Sequence, residues 1–189
     1  SVTNVSDSSF KPIVNIFSAG VAFAALKDDG SIVAWGNTSD GGSAPNSVTN
    51  VSDPSFKPIV NVFSTYGAFS ALKSDGSIVA WGSSTYGGSA PNSVTNVSDP
   101  SFKPIVNIFS NDYAFAALKD DGSIVAWGVG DYGGDGAPTD SGYVNIVPND
   151  YAFVAVKDDT SSSYSTSLQD TDSFFNDCLL YTSPSPRDC

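Results

Sequence analysis

Residues Ala114–Gly128 read AFAALKDDGSIVAWG, and the fold follows from how that stretch is understood. Nearly the same sequence stands at Ala22–Gly36 and Ala68–Gly82, and a further copy begins at Ala152. Two runs rich in Ala, Val, Ile, Phe and Trp flank the pair Asp121-Gly122. An Asp-Gly pair between such runs is the strongest short-range signal for a β-hairpin, because glycine accepts the positive φ that the turn requires.

The hairpin belongs to a larger unit. Trp35, Trp81 and Trp127 recur every 46 residues, and the string SVTNVSD opens at Ser1, Ser47 and Ser93 with the same period. Repeats are therefore expected at 1–46, 47–92 and 93–140, followed by a partial repeat at 141–159, a polar Ser-rich tail at 160–177 and a distinct terminus at 178–189. The fourth unit enters early, since Phe115 and Phe153 are only 38 residues apart. Four strands are expected per unit: SVTNV (47–51), then, after a Ser-Asp-Pro-Ser turn, KPIVNVF (57–63), then AFSALK (68–73) and SIVAWG (77–82). Helix has little support, because the apolar spacing is continuous or of period two and Gly and Pro interrupt it often.

Strands two to four are apolar on both faces, so each sheet needs a like sheet on either side. Four-stranded units recurring every 40 to 50 residues read as propeller blades. The fold expected is all-β: tandem four-stranded antiparallel blades of an incomplete β-propeller, with each Trp filling the space between blades.

At Asp75-Gly76-Ser77-Ile78-Val79-Ala80-Trp81-Gly82, followed by Tyr86-Gly87-Gly88, the sequence resembles the RCC1 (regulator of chromosome condensation) repeat. In that family an Ala-Leu strand leads to an Asp-Gly turn, a Val-aromatic strand, Trp-Gly and a Tyr-Gly-Gln loop. The resemblance covers most of 11–46, 57–92, 103–138 and 143–159. It departs from the pattern in lacking the Gly-Gly and His before the Ala-Leu strand, and in carrying Gly-Ser-Ala-Pro after Tyr-Gly. The resemblance implies the propeller fold. The family's guanine-nucleotide exchange and chromatin docking have no matching functional residues in this sequence.

The C-terminal string CLLYTSPSPRD (178–188) shares no pattern with the repeats and resembles a translated transposase adapter from sequencing-library preparation. It is set apart from the fold, and with it both cysteines and Arg187. The gene is then expected to be truncated at both ends.

Composition narrows the chemistry. The 189 residues carry twenty acidic groups, all Asp, against eight basic ones, for a net charge of −12, with no His, Glu or Met. Scattered lysines in an acidic chain do not suit phosphate backbones, so no nucleic-acid partner is expected. No apolar run approaches the ~20 residues of a membrane span. Catalysis by a His or Cys nucleophile is excluded once the C-terminal string is set aside. The pairs Asp28-Asp29, Asp120-Asp121 and Asp158-Asp159 lack the further spaced oxygen ligands of a calcium loop, and read as turn residues. No metal or cofactor is expected. Sequons at Asn4, Asn50 and Asn96 recur because the unit recurs, and count as one hint of secretion.

Where the copies differ is more informative. The strands and Asp-Gly turns are nearly constant, while the loops before the third strand (18–21, 64–67, 110–113) and after Trp-Gly (37–40, 83–86, 129–132) vary. In an antiparallel blade both loops emerge at one end. That end carries Tyr66, Tyr86, Asp112, Tyr113, Asp131, Tyr132, Asp150 and Tyr151, a Tyr/Asp surface suited to a partner. The expected function is a non-enzymatic scaffold that holds a protein partner on this face. One alternative is the recognition module of a larger enzyme or guanine-nucleotide exchange factor whose active residues lie elsewhere. Another is an extracellular repeat protein that binds carbohydrate through the tyrosines. Uncovered blade faces and edges are expected to make the chain self-associate.

Overall fold

The structure, a computed structural model, describes residues 11–158 and the backbone of 178–181. The first strand expected in the leading repeat, the sequon at Asn4, Asp159 and the Ser-rich tail lie outside the described residues. Strands β1 (Ile13–Ser18), β2 (Ala22–Lys27) and β3 (Ile32–Gly36) form one antiparallel sheet. The same arrangement recurs in β4 (Ile59–Ser64), β5 (Ala68–Lys73) and β6 (Ile78–Gly82), and in β7 (Ile105–Ser110), β8 (Ala114–Lys119) and β9 (Ile124–Gly128). A fourth sheet holds β10 (Tyr143–Pro148), β11 (Phe153–Lys157) and β12 (Cys178–Tyr181).

Each sheet has three strands, which corrects the expectation of four. The residues expected to form the first strand instead make a single helical turn, α1 (Asn46–Thr49) in one repeat and α2 (Asn92–Thr95) in the next. The cause is local hydrogen bonding. Pro45 enters with φ −70°, and its carbonyl accepts from Val48 and Thr49 N–H. Asn50 Oδ1 then takes the Ser52 N–H at 3.0 Å, and Asp53 Oδ1 takes Ser55 N–H at 2.8 Å and Ser55 Oγ at 2.5 Å. Backbone donors captured by Asn and Asp side chains are lost to a sheet ladder. Val48 and Val94 still point inward and are fully buried.

The hairpin turns are as expected in place and gain detail in form. Lys73 N–H donates to Ser77 O and Gly76 N–H to Lys73 O, with Gly76 at φ +78°. Asp75 Oδ1 locks the turn by accepting Ser77 N–H at 3.0 Å and Ser77 Oγ at 2.6 Å. Asp29 and Asp121 bind Ser31 and Ser123 in the same way, so these carboxylates serve the turns. Partial burial pushes the Asp75 carboxyl up. The two Ser77 hydrogen bonds and the Lys73 charge outweigh that and leave it below the usual carboxylate value.

Sheet packs on sheet through three cores. The first joins Ala22, Ala24 and Leu26 of β2 and Ile32 of β3 to Val62, Phe69, Ala71 and Trp81 of the next sheet. The second repeats this one sheet on, ending in Phe115 and Trp127, and the third packs β8 and β9 against β10 and β11. All residues of β5 and β8 are buried, as sheets covered on both faces require. Trp81 and Trp127 are each 5% exposed and lie between sheets, while Trp35 is 41% exposed beside Phe23 at 42%. The joint is also hydrogen-bonded. Ile59, Ile105 and Tyr143 N–H donate to the carbonyls of Gly30, Gly76 and Gly122 in the preceding turns.

At the free edge of β11 the apolar quartet 178–181 pairs antiparallel, with Tyr181 opposite Phe153, the register place that Trp35, Trp81 and Trp127 take opposite Phe23, Phe69 and Phe115. The sequence of this stretch stands apart from the repeats, and its backbone nonetheless fills the third-strand position. An unpaired strand edge accepts any extended apolar segment, whatever the origin of its residues.

Candidate functional site

The antiparallel order places the variable loops at one end of each of the first three sheets and the Asp-Gly turns at the other. At the loop end the tyrosines of successive repeats meet. Ring centroids of Tyr66 and Tyr86 are 5.7 Å apart, those of Tyr86 and Tyr113 6.2 Å, those of Tyr113 and Tyr132 4.1 Å, and those of Tyr132 and Tyr151 5.7 Å. The five rings form one continuous row across three sheets. Tyr113 and Tyr132 stack with planes 22° apart, and the others are tilted, geometries that aromatic quadrupoles favour.

The row is held from below. Thr65 is buried, accepts Ala68 N–H at 3.1 Å and donates Oγ1 to Tyr86 O at 2.9 Å. Asn111 does the same work one repeat on: Oδ1 accepts the Tyr113 and Ala114 N–H groups, and Nδ2 donates to Tyr132 O at 3.0 Å. Asn149 Oδ1 accepts Tyr151 and Ala152 N–H. Neighbouring loops are linked through backbone, Gly20 N–H donating to Tyr66 O and Tyr66 N–H to Asp112 O, both at 2.7 Å. Under the loop after Trp-Gly, Trp81 Nε1 donates to Gly41 O and Trp127 Nε1 to Gly87 O, each at 3.0 Å. Gly87 has φ +93°, and a Cβ there would lie 2.7 Å from the Phe115 ring. Tyr86-Gly87-Gly88 is thereby tied to Trp127 of the next sheet, and Asp40-Gly41-Gly42 holds the same place over Trp81.

Of the residues singled out on sequence, Tyr66 and Tyr151 are 53% and 62% exposed at the two ends of the row. Tyr86, Tyr113 and Tyr132 are half-buried by their neighbours. Asp112, Asp131 and Asp150 each precede a tyrosine of the row and are exposed, with no hydrogen bond to their carboxylates among the described residues. Desolvation first, then the hydroxyls of Tyr132, Tyr151 and Tyr86 and the Asp112 carboxylate, push the Tyr113 hydroxyl above its usual pKa. Among the described residues no three carboxylates converge as metal ligands would.

Sequence reasoning missed two features. Thr65, Asn111 and Asn149 hold one repeat position, and the signal available was their shared capacity to bind a backbone N–H. Charge separates between the ends. Lys11, Lys57 and Lys103 precede the first strands, and Lys27, Lys73, Lys119 and Lys157 close the middle strands, all at the Asp-Gly end. The loop end has Asp40, Asp112, Asp131, Asp135 and Asp150, and no cation among the described residues.

No protein-family model matches the sequence, and no curated protein matches it at a significant level. Solved structures do match. Prp20p of Saccharomyces cerevisiae, described with its binding to Gsp1p and histones, superposes with a TM-score of 0.52 at 18% identity, over 81% of this chain and 45% of that one. The ectodomain of the Arabidopsis thaliana receptor kinase ACR4 gives 0.50 at 16% identity, over 81% of this chain and 49% of that one. Yeast RCC1 (Prp20) bound to Kap60 gives 0.50 at 16% identity, over 78% and 42%. The fold is that of RCC1-like β-propeller blades. The chain spans less than half the length of each of these structures.

Proposed function

We propose that the chain is a non-enzymatic scaffold of RCC1-like repeats that holds a protein partner on its tyrosine face. The observation that carries this reading is the unbroken row from Tyr66 to Tyr151, in which neighbouring rings lie 4.1–6.2 Å apart on loops fixed from beneath. Tyrosine offers large, rigid contact area with a polar tip and little rotamer entropy to lose, which is why it is enriched in protein interfaces. Asp112, Asp131 and Asp150 supply a polar margin to the row. The structures of similar fold include ones that bind Gsp1p, histones and Kap60, which agrees with a binding role. Among the described residues the ionisable groups of this face are Asp and Tyr.

The test is affinity capture on the immobilised full chain, wild type against Tyr66→Ala/Tyr113→Ala/Tyr132→Ala, with circular dichroism to show equal folding. Proteins retained by the wild type and lost by the variant support the reading. An unchanged set of retained proteins rejects it.

A further inference from the structure

We infer that the tyrosine row is a track for an extended, cationic polypeptide segment, with arginine or lysine side chains lying across the rings between the flanking aspartates. The inference rests on the proposal that this face binds protein, and adds the chemistry of what is bound. Three observations on the molecule carry it.

The first is shape. The rings follow one another singly, and their four ring-to-ring steps make a path of roughly 20 Å, the length of about six residues of extended chain. A folded partner would be met better by a broad patch, whereas a strip of rings one residue wide matches a single strand of polypeptide. The second is charge. Asp40, Asp112, Asp131, Asp135 and Asp150 surround the loop end, every lysine of the described residues lies at the opposite end, and the whole chain carries −12. A field of one sign over a binding surface attracts the opposite sign and repels its own. The third is the rings themselves. A tyrosine face is electron-rich and attracts a cation placed within about 6 Å of its centroid, and a planar guanidinium can also stack on it. Tyr113 and Tyr132 cover one face of each other at 4.1 Å, and Tyr66 and Tyr151, 53% and 62% exposed, are the rings most open to a cation. Carboxylates without internal partners stand beside those rings, free to take the hydrogen bonds of the same cationic groups.

The experiment uses the full chain and three fluorescein-labelled peptides of about seven residues, alternating Arg-Ser, Asn-Ser and Glu-Ser, read by fluorescence anisotropy. A neutral oligosaccharide is measured in parallel. The variants are Tyr113→Ala/Tyr132→Ala, the exposed isosteric set Asp112→Asn/Asp131→Asn/Asp150→Asn, and a control set at the other end, Asp28→Asn/Asp120→Asn/Asp158→Asn. The expected result is that Arg-Ser binds about tenfold or more tightly than Asn-Ser, with Glu-Ser weakest. Both face variants should lose about tenfold, the control set should stay within about twofold, and binding should weaken as salt rises and screens the aspartates. Should Tyr113→Ala/Tyr132→Ala fail to fold, the aspartate set decides alone.

Equal binding of Asn-Ser and Arg-Ser, lost with the tyrosines, overturns the cationic track and leaves the protein-binding reading standing. Equal loss in both aspartate sets overturns it as an effect of net charge. Absence of binding by all three peptides overturns it too, and the capture experiment then judges the broader reading separately. Retention of the oligosaccharide alone, lost with the tyrosines, overturns both in favour of a sugar-binding face.

Discussion

Trp81 and Trp35 occupy one position in successive repeats, opposite Phe69 and Phe23 in register, yet of the two only Trp81 has a sheet in front of it among the described residues. Trp81 is 5% exposed and donates to Gly41 O, while Trp35 is 41% exposed and its indole N–H has no acceptor among the described residues. For a side chain that buries up to about 250 Å², the difference is roughly 90 Å², worth about 2 kcal/mol at ~25 cal/mol per Å². The hydrogen bond adds about 1 kcal/mol. Trp→Ala in a packed core costs about 3–5 kcal/mol in total. We therefore expect about 4 kcal/mol for Trp81→Ala and about 1–2 kcal/mol for Trp35→Ala. Trp127→Ala, in the same setting as Trp81, should match Trp81→Ala to within about 1 kcal/mol. Urea denaturation followed by far-ultraviolet circular dichroism gives all three values. Equal costs at Trp35 and Trp81, or a cost below about 1 kcal/mol at Trp81, would refute the inter-sheet packing.

Further outcomes follow from the same geometry. Gly87→Ala combines a left-handed φ of +93° with a Cβ 2.7 Å from Phe115, and should cost about 3 kcal/mol or more; Gly142→Ala, at φ +89° with no atom within 4 Å of its Cβ, should cost only about 1–2 kcal/mol in the same melts. Ser70 Oγ is buried without a hydrogen-bond partner where the first and third repeats have Ala24 and Ala116, so Ser70→Ala should raise the melting temperature by an amount equivalent to about 1 kcal/mol. Asp29, Asp75 and Asp121 are held below the usual carboxylate value of 3.8 in the folded state. Their ionised form thus stabilises the fold above that value, and the contribution is lost as pH falls through the lower folded values. Melting temperature should drop steeply below about pH 4, and less steeply in Asp75→Asn. The exposed Phe23–Trp35 stack is a second apolar surface, and light scattering should show self-association that Phe23→Ser/Trp35→Ser reduces; a monomer in the wild type contradicts this.

Much of this architecture is legible in the sequence because the signals are local and repeated. The bounds of Ala68–Lys73 are legible because its apolar run ends at a lysine before Asp75-Gly76, where a turn with Gly at positive φ closes. The place of Trp81 between sheets is legible because an apolar surface of that size on a short strand needs a covering sheet. The stretch 47–51 misled because Val and Thr favour strands, while the deciding interactions were Pro45 ahead of it and the Asn50 and Asp53 side chains behind. At the loop end, comparison among the repeats singles out the variable face without revealing the row. Tyr66 sits one position earlier in its loop than Tyr113, and Tyr86 lies twenty residues from Tyr66 along the chain. Only the stacking of sheet on sheet brings Tyr86 against both Tyr66 and Tyr113. The separation of lysines from the face was equally hidden, because it depends on strand direction rather than on composition.

Site-specific photo-crosslinking tests the binding face most directly. A photoreactive amino acid is placed at Thr85 or Asp131 on the loop end, and at Ser74 or Asp120 on the Asp-Gly end, all of them exposed. The chain is then irradiated with its captured partner. Adducts from Thr85 and Asp131 and none from Ser74 and Asp120 are the expected result. Adducts from the Asp-Gly end, or equal yields from both ends, would contradict the assignment of function to the tyrosine row.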